Sequence, residues 1–220
     1  MDFDAERNAM VNEQIVQRGV RDPRVLEVMR QVPRHQFLPE DAVPYAYLDS
    51  ALRIGHDQTI SQPYIVALMS ELLDVRPEDK VLDVGTGSGY QAAVLGALAR
   101  EVHTVERIPA LAEKAGKTLA ALGYDNVQVH LGDGSLGYPE AAPYDRIMVA
   151  AAAPEVPQAL TGQLREGGRL VIPVGSRTLQ RLEIWDLEDG NFKQTNSIPV
   201  VFVPLIGAGA WIDTPPEISS

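Results

Sequence analysis

The sequence predicts a doubly wound α/β fold, and three observations lead there. From Pro63 onward, short β-rich runs alternate with helical ones. The runs are apolar on both faces, as the strands of a parallel sheet covered on both sides must be. The first of them passes directly into a glycine-rich turn that opens a helix.

Ahead of this alternation, Met10, Val11, Gln14, Ile15 and Arg18 keep helical spacing, and Val25, Leu26, Val28 and Met29 do so again. Two short helices are therefore expected, with Gly19 stopping the first and Asp22-Pro23 acting as cap and first-turn proline of the second. Pro63 suits the first turn of a third helix that runs through Tyr64–Met69 to Leu72-Leu73. Strands are expected at Lys80–Val84, Val102–Val105, Val127–His130, Arg146–Val149 and Arg169–Pro173, with helices after the first, second and fourth. Beyond Pro173, Leu179–Leu187 and Ile198–Leu205 flank the turn-like Glu188–Asn191 and predict an antiparallel hairpin at the sheet edge. The expected organisation is one domain over residues 1–212. Residues 1–62 supply N-terminal helices and a loop, 63–175 the α/β core and 176–212 the closing strands, leaving a frayed tail at 213–220.

Composition removes several classes of function. The chain of 220 residues has no cysteine, which excludes disulfides, cysteine-ligated metals and thiol nucleophiles. Its four histidines, His35, His56, His103 and His130, form no closely spaced metal-binding pair, so no metal is expected. A net charge of −11 argues against nucleic acid, whose affinity comes largely from phosphate neutralisation by Lys and Arg. No apolar stretch reaches membrane-spanning length, and the acidic start MDFDAERNAM lacks the pattern of a secretory signal. A soluble, cytoplasmic monomer with no membrane partner is the expectation.

The chemistry concentrates in Val81–Tyr90, where a strand meets Gly85, Thr86, Gly87, Ser88 and Gly89. Glycines there let backbone approach a ligand and present N–H groups to it. The spacing is GxGxG with Asp83 just before it, whereas the dinucleotide fingerprint needs GxGxxG. An acid beside the turn would repel a pyrophosphate and welcome an ammonium or a sulfonium, and S-adenosylmethionine carries both. Glu106 ends the next strand, where a carboxylate can accept from both ribose hydroxyls. Asp133 follows the third strand within reach of an adenine amino group. Each acid alone reads as a solvated loop charge or a helix cap; three of them at successive strand ends, where open α/β sheets bind ligands, read together as a site.

Further segments carry a resemblance that covers nearly the whole chain: Val32-Pro33-Arg34, Tyr47 and Asp49, Leu52–Gly55, Gln58–Pro63, Gly132–Gly134, Ala151–Pro157, Leu164–Gly175 and Phe202–Leu205. With these the chain resembles the protein-L-isoaspartate (D-aspartate) O-methyltransferases, and the Gln58-Thr59-Ile60-Ser61-Gln62-Pro63 segment discriminates them from other methyltransferases. The resemblance implies a Rossmann-like S-adenosylmethionine-dependent methyltransferase. Such an enzyme esterifies the free α-carboxylate of isoaspartyl residues in damaged proteins and so starts repair through a succinimide. It implies Ser61 as the active-site residue, and Gln58, Thr59, Ile60 and Arg107, with the glycine turn, Glu106, Asp133 and Gly134, as the cofactor site. Ile54, Val203 and Pro204 would join Ser61 on the substrate side, and Val201–Leu205 offers either an exposed edge for an extended peptide or an ordinary buried strand.

Taken alone, Ser61 reads more readily as the cap of the helix at Pro63; the resemblance reverses that order. His56-Asp57, just before the signature, vary in the family and are not expected to carry chemistry. Ile206–Trp211 holds small or apolar residues where some relatives reach the cofactor, so contacts from that end are not expected. The competing readings are a methyltransferase for another substrate, which would differ in Gln58–Pro63, an oxidoreductase, disfavoured by GxGxG and Asp83, and a non-catalytic binding module.

Overall fold

The computed structural model describes residues 1–212, so the tail expected at 213–220 lies outside the described residues. Helix α1 (Phe3–Ala9) starts where the Asp2 side chain accepts from the Ala5 amide, and continues through a wider turn at Met10–Ile15 and a tight one at Val16–Arg18. Gly19 stops it with a left-handed φ of 97°. Helix α2 (Pro23–Gln31) has the expected proline start, and Asp22 accepts from the amides of Arg24 and Val25.

A small hairpin follows that the sequence reading leaves as loop: β1 (Leu52–Gly55) pairs antiparallel with β2 (Gln58–Ile60). Its turn residues His56 and Asp57 both have positive φ, 53° and 56°. Helix α3 (Pro63–Leu73) comes next. Then strand and helix alternate as β3 (Lys80–Val84), α4 (Tyr90–Leu98), β4 (Glu101–Glu106), α5 (Pro109–Ala121), β5 (Val127–Leu131), β6 (Tyr144–Val149), α6 (Gln158–Thr161) and β7 (Leu164–Gly175). Strands β8 (Gln180–Glu188) and β9 (Asn191–Val200) close the sheet.

The seven-stranded order is β5-β4-β3-β6-β7-β8-β9, parallel through β7 and antiparallel beyond it. The chain winds outward from β3 to β5 and then restarts on the other side with β6, which puts the topological switch between β3 and β6. Strand alternation sends Val81, Val102, Met148 and Val171 to one face, where the N-terminal helices pack with α3, α4 and α5. Leu82, Val105, Ile147 and Ile172 go to the other face, with α6 and the long loops.

Two expectations change. The last strand was expected at Ile198–Leu205, but β9 ends at Val200 and begins at Asn191, because Asp189 and Gly190 (φ 51° and 73°) make a two-residue turn that fixes the register. Strand β5 is an edge strand and is not covered on both faces, with Leu131 61% exposed. That contrast gives a prediction. Leu82→Ala, at a fully buried site, should cost about 2–5 kcal/mol in urea unfolding, and Leu131→Ala should stay within about 0.5 kcal/mol. Similar costs for the two would overturn the assignment of β5 to the edge.

Candidate active site

The turn from β3 into α4 curls because Gly85, Gly87 and Gly89 all take left-handed φ, at 97°, 53° and 90°. Gly85 and Thr86 both donate to the Val105 carbonyl at the end of β4, at 2.9 and 3.3 Å. Glu106, only 6% exposed, completes the arrangement: one carboxylate oxygen accepts from the Gly87 amide at 2.8 Å and the other from the Ile108 amide at 2.9 Å. Around it lies a cleft that opens to solvent. Of the residues singled out from sequence, Gln58, Thr59, Ile60, Ser61, Gly85, Thr86, Gly87, Ser88, Glu106, Arg107, Gly134, Val203 and Pro204 line it.

Four others do not. Asp83 is fully buried behind the cleft wall, where one oxygen accepts from the Thr104 hydroxyl at 2.8 Å and the other has no partner. Strand alternation explains this, since it turns Val84 to the cleft and Asp83 to the opposite face beside Thr104. Thr86 and Thr104 share a 2.7 Å hydroxyl contact, so a polar chain runs from the cleft wall to Asp83. Burial, helped by the nearby Glu106 charge, pushes the Asp83 carboxyl up to about 7 against the Thr104 hydrogen bond. Asp133 is also off the cleft wall: it accepts from the amide and hydroxyl of Ser135 and from the amide of Ala208. Gly89 packs against Ala115 and Leu119 of α5, and the buried Ile54 packs beneath Gly87.

A second, open groove of about 1190 Å³ adjoins the cleft, and Thr59, Ser61, Ala150 and Val203 line both. Ser61 is half-buried and does not cap α3, whose cap residue is Gln62 without a side-chain hydrogen bond. The capping reading of Ser61 therefore falls away. His56 is exposed at the tip of the β1–β2 hairpin and lines neither space.

The C-terminal segment differs most from expectation. Val201–Leu205 is neither a free edge nor a buried strand: Ala152 donates to the Val203 carbonyl at 2.8 Å and accepts from the Leu205 amide at 2.7 Å. The Phe202 amide is taken by Gln180. Leu205 and Ile206, where this end begins, line the cleft. Arg18, Asp49 and Gln62, not selected as site residues, meet on the groove wall, where Asp49 accepts from both Arg18 and Gln62. Only their long-range pairing brings them there.

Among the residues described as lining the cleft, Glu106 is the one carboxylate, and Val84, Val105, Ile108 and Ile206 add apolar wall. Glycine amides, one acid and apolar walls at the switch point suit a nucleoside with a short charged arm. Fold and site define an S-adenosylmethionine-dependent methyltransferase of Rossmann-like architecture. The sequence model of the family described as protein-L-isoaspartate(D-aspartate) O-methyltransferase matches residues 5–210, and the chain belongs to that family. It is 54% identical over 206 residues to the protein-L-isoaspartate O-methyltransferase of Methanoregula boonei, covering 94% of this chain and 95% of that protein. Identity to the Roseiflexus sp. protein of the same name is also 54%, over 96% of both chains. Among solved structures, a protein-L-isoaspartate O-methyltransferase superimposes with a TM-score of 0.84 at 29% identity, over 94% of this chain and 67% of that one. A Plasmodium falciparum β-aspartate methyltransferase in complex with S-adenosyl-L-homocysteine gives 0.80 at 27% identity, over 91% and 98%.

The buried Asp83 carries a pH signature. Its folded carboxyl titrates above the ordinary value of 3.8, so the folded chain holds a proton that the unfolded chain has released. The stabilisation is fully present below about pH 4 and is lost as pH rises through about 7. In urea unfolding of the ligand-free protein, wild type should therefore gain on Asp83→Asn when pH is lowered from about 8 to about 5. A difference that stays constant across that window would mean that Asp83 is ionised in the fold.

Proposed function

We propose that the protein is a protein-L-isoaspartate O-methyltransferase that moves a methyl group from S-adenosylmethionine to the free α-carboxylate of isoaspartyl residues in damaged proteins. The observation that carries this reading is the junction at Ser61, which lines both the cleft beside the glycine turn and Glu106 and the open groove that adjoins it. Bound in the cleft, S-adenosylmethionine supplies an electrophilic methyl on a positively charged sulfur. The chain's task is to bind and orient. Glu106 keeps acceptor capacity for the ribose hydroxyls after taking its two backbone donors. The amides and walls of Gly85–Ser88, with Gln58–Ile60, Arg107 and Gly134, hold the remainder.

The substrate carboxylate is already ionised at neutral pH, so no general base is required and none lines the junction. Ser61, whose hydroxyl has no hydrogen-bond partner among the described residues, donates to that carboxylate and fixes its angle of approach. Transfer forms the O–CH3 bond as the C–S bond breaks, its electron pair returning to sulfur, and no proton moves. Closure of the ester to a succinimide, with loss of methanol, needs no enzyme group. No described helix is long and apolar enough to cross a membrane, and we place the enzyme in the cytoplasm.

Specificity follows from geometry. In isoaspartate the chain runs through the side-chain carbonyl, so the free carboxylate sits one methylene nearer the backbone nitrogen than in ordinary aspartate. A misplacement of about 1 Å can cost on the order of a hundredfold in rate. With methyl-labelled cofactor, an isoaspartyl peptide should release volatile label while its L-aspartyl counterpart stays nearly unlabelled. Equal transfer to both would leave a methyltransferase of another specificity. Ser61→Ala should lower turnover on the isoaspartyl peptide by about tenfold or more while melting stays near wild type, since the hydroxyl holds no structural bond. Near wild-type turnover would remove Ser61 from the chemistry.

A further inference from the structure

We propose that Arg18 is a specificity-determining residue of the groove: its guanidinium donates to a main-chain carbonyl of the substrate beside the isoaspartyl residue, so the enzyme grips backbone whatever side chains flank the damage. The inference rests on reading the groove as the site of the isoaspartyl polypeptide. Arg18 ends the tight turn that Gly19 stops, and its side chain stays 41% exposed on the groove wall. Two contacts hold it there. The guanidinium carbon lies 3.6 Å from the centre of the Tyr64 ring, and Nη1 donates to the two Asp49 oxygens at 3.2 and 3.0 Å. A planar cation laid on a ring and tied at one corner has given up much of its rotamer freedom before any ligand arrives. Binding through it then costs little further ordering.

The same contacts fix its place relative to Ser61. Asp49 also accepts from the Gln62 side-chain amide, at 2.7 Å on its carboxylate and at 3.1 Å on its backbone carbonyl. Gln62 directly follows Ser61, and Tyr64 lies in the first turn of α3, so both ties lead back to the junction of groove and cleft. What the ties leave over defines the ligand. Nε and Nη2 have no hydrogen-bond partner among the described residues, which leaves directional N–H donors beside the groove. Arg18 and Asp49 are the only charged residues described on the groove wall, and they pair with each other. A paired cation offers donors with little net field, and a chain of net charge −11 does not steer acidic peptides toward it. A peptide carbonyl, neutral and present at every residue, is the acceptor that such a group suits.

The test is steady-state kinetics of the whole protein on isoaspartyl peptides that differ only in the residue after the isoaspartate, which is glutamate, glutamine or lysine. Calorimetric titration with S-adenosyl-L-homocysteine runs alongside. Arg18→Met keeps an apolar stem over Tyr64 and removes every donor. It should raise KM for all three peptides by the same factor, about tenfold, the loss expected for a charge-assisted hydrogen bond, while kcat changes by less than about twofold. Affinity for S-adenosyl-L-homocysteine and the melting temperature should stay near wild type. Arg18→Gln, which returns an uncharged donor, should recover part of the loss on each peptide. Arg18→Ala serves in place of Arg18→Met if that variant does not fold. An unchanged KM on removal of the guanidinium would overturn the anchor. A rise confined to the glutamate peptide would also overturn it and make Arg18 a reader of acidic side chains. If the wild type binds S-adenosyl-L-homocysteine but methylates none of the three peptides, the isoaspartyl reading of the groove fails, and the anchor with it.

Discussion

The Glu106 carboxylate is the tie on which the site depends, because it joins two loops that the parallel sheet brings to one edge but does not connect. Its oxygens hold Gly87 in the β3–α4 turn and Ile108 at the start of α5. Both amides are half-buried, so pairing them with one carboxylate fixes the two loops relative to each other. Among the described residues, the glycine turn is otherwise pinned to β4 through the Val105 carbonyl and the Thr86–Thr104 contact. The same carboxylate thus sets the shape of the turn and lines the cleft.

Most of the core was legible in the sequence because local signals and tertiary packing agree there. Lys80–Val84 is apolar on both faces and ends in glycines, and Asp22-Pro23 and Pro63 start helices by the geometry of the first turn. Where the signals are weak, the reading slips. The β1–β2 hairpin is short, and its turn uses His56 and Asp57 in a left-handed conformation that sequence would normally assign to glycine or asparagine. Strand β9 opens with the polar Asn191–Thr195, which looks like loop until its register with β8 places it at a sheet edge, where polar residues are tolerated. Pro199 is acceptable there for the same reason.

The site was legible to the extent that its residues are contiguous. The glycine turn and Gln58–Ser61 each fill one wall, and both announce themselves as short segments. Of the three acids at successive strand ends, only Glu106 lines the cleft. Strand parity buries Asp83, and the long-range contact with Ala208 engages Asp133, and neither can be read from spacing alone. The position of Ile206 on the cleft wall was missed for a related reason: composition shows only small and apolar residues in Ile206–Trp211, and backbone pairing sets where they lie.

A methyl transfer between an ionised carboxylate and a sulfonium needs alignment more than acid–base help, and the fold divides that need between two spaces. The cleft is bounded on one side by Gly87 and Glu106 and on the other by Val203–Ile206, a segment paired to Ala152 and followed by the Ala208 contact with Asp133. The groove remains open, as it must if the acceptor is a backbone defect that can occur within any sequence. Its walls, with the Arg18–Asp49–Gln62 cluster on one side and Ile198–Phe202 on the other, can grip main chain without demanding a particular side chain. Ser61 belongs to both spaces, and its hydroxyl is free of structural duty because Gln62 takes the capping position. In the proposed reaction, selectivity comes from where the main chain sets the carboxylate relative to that hydroxyl, so the junction would distinguish a displaced backbone from a normal one while ignoring its neighbours.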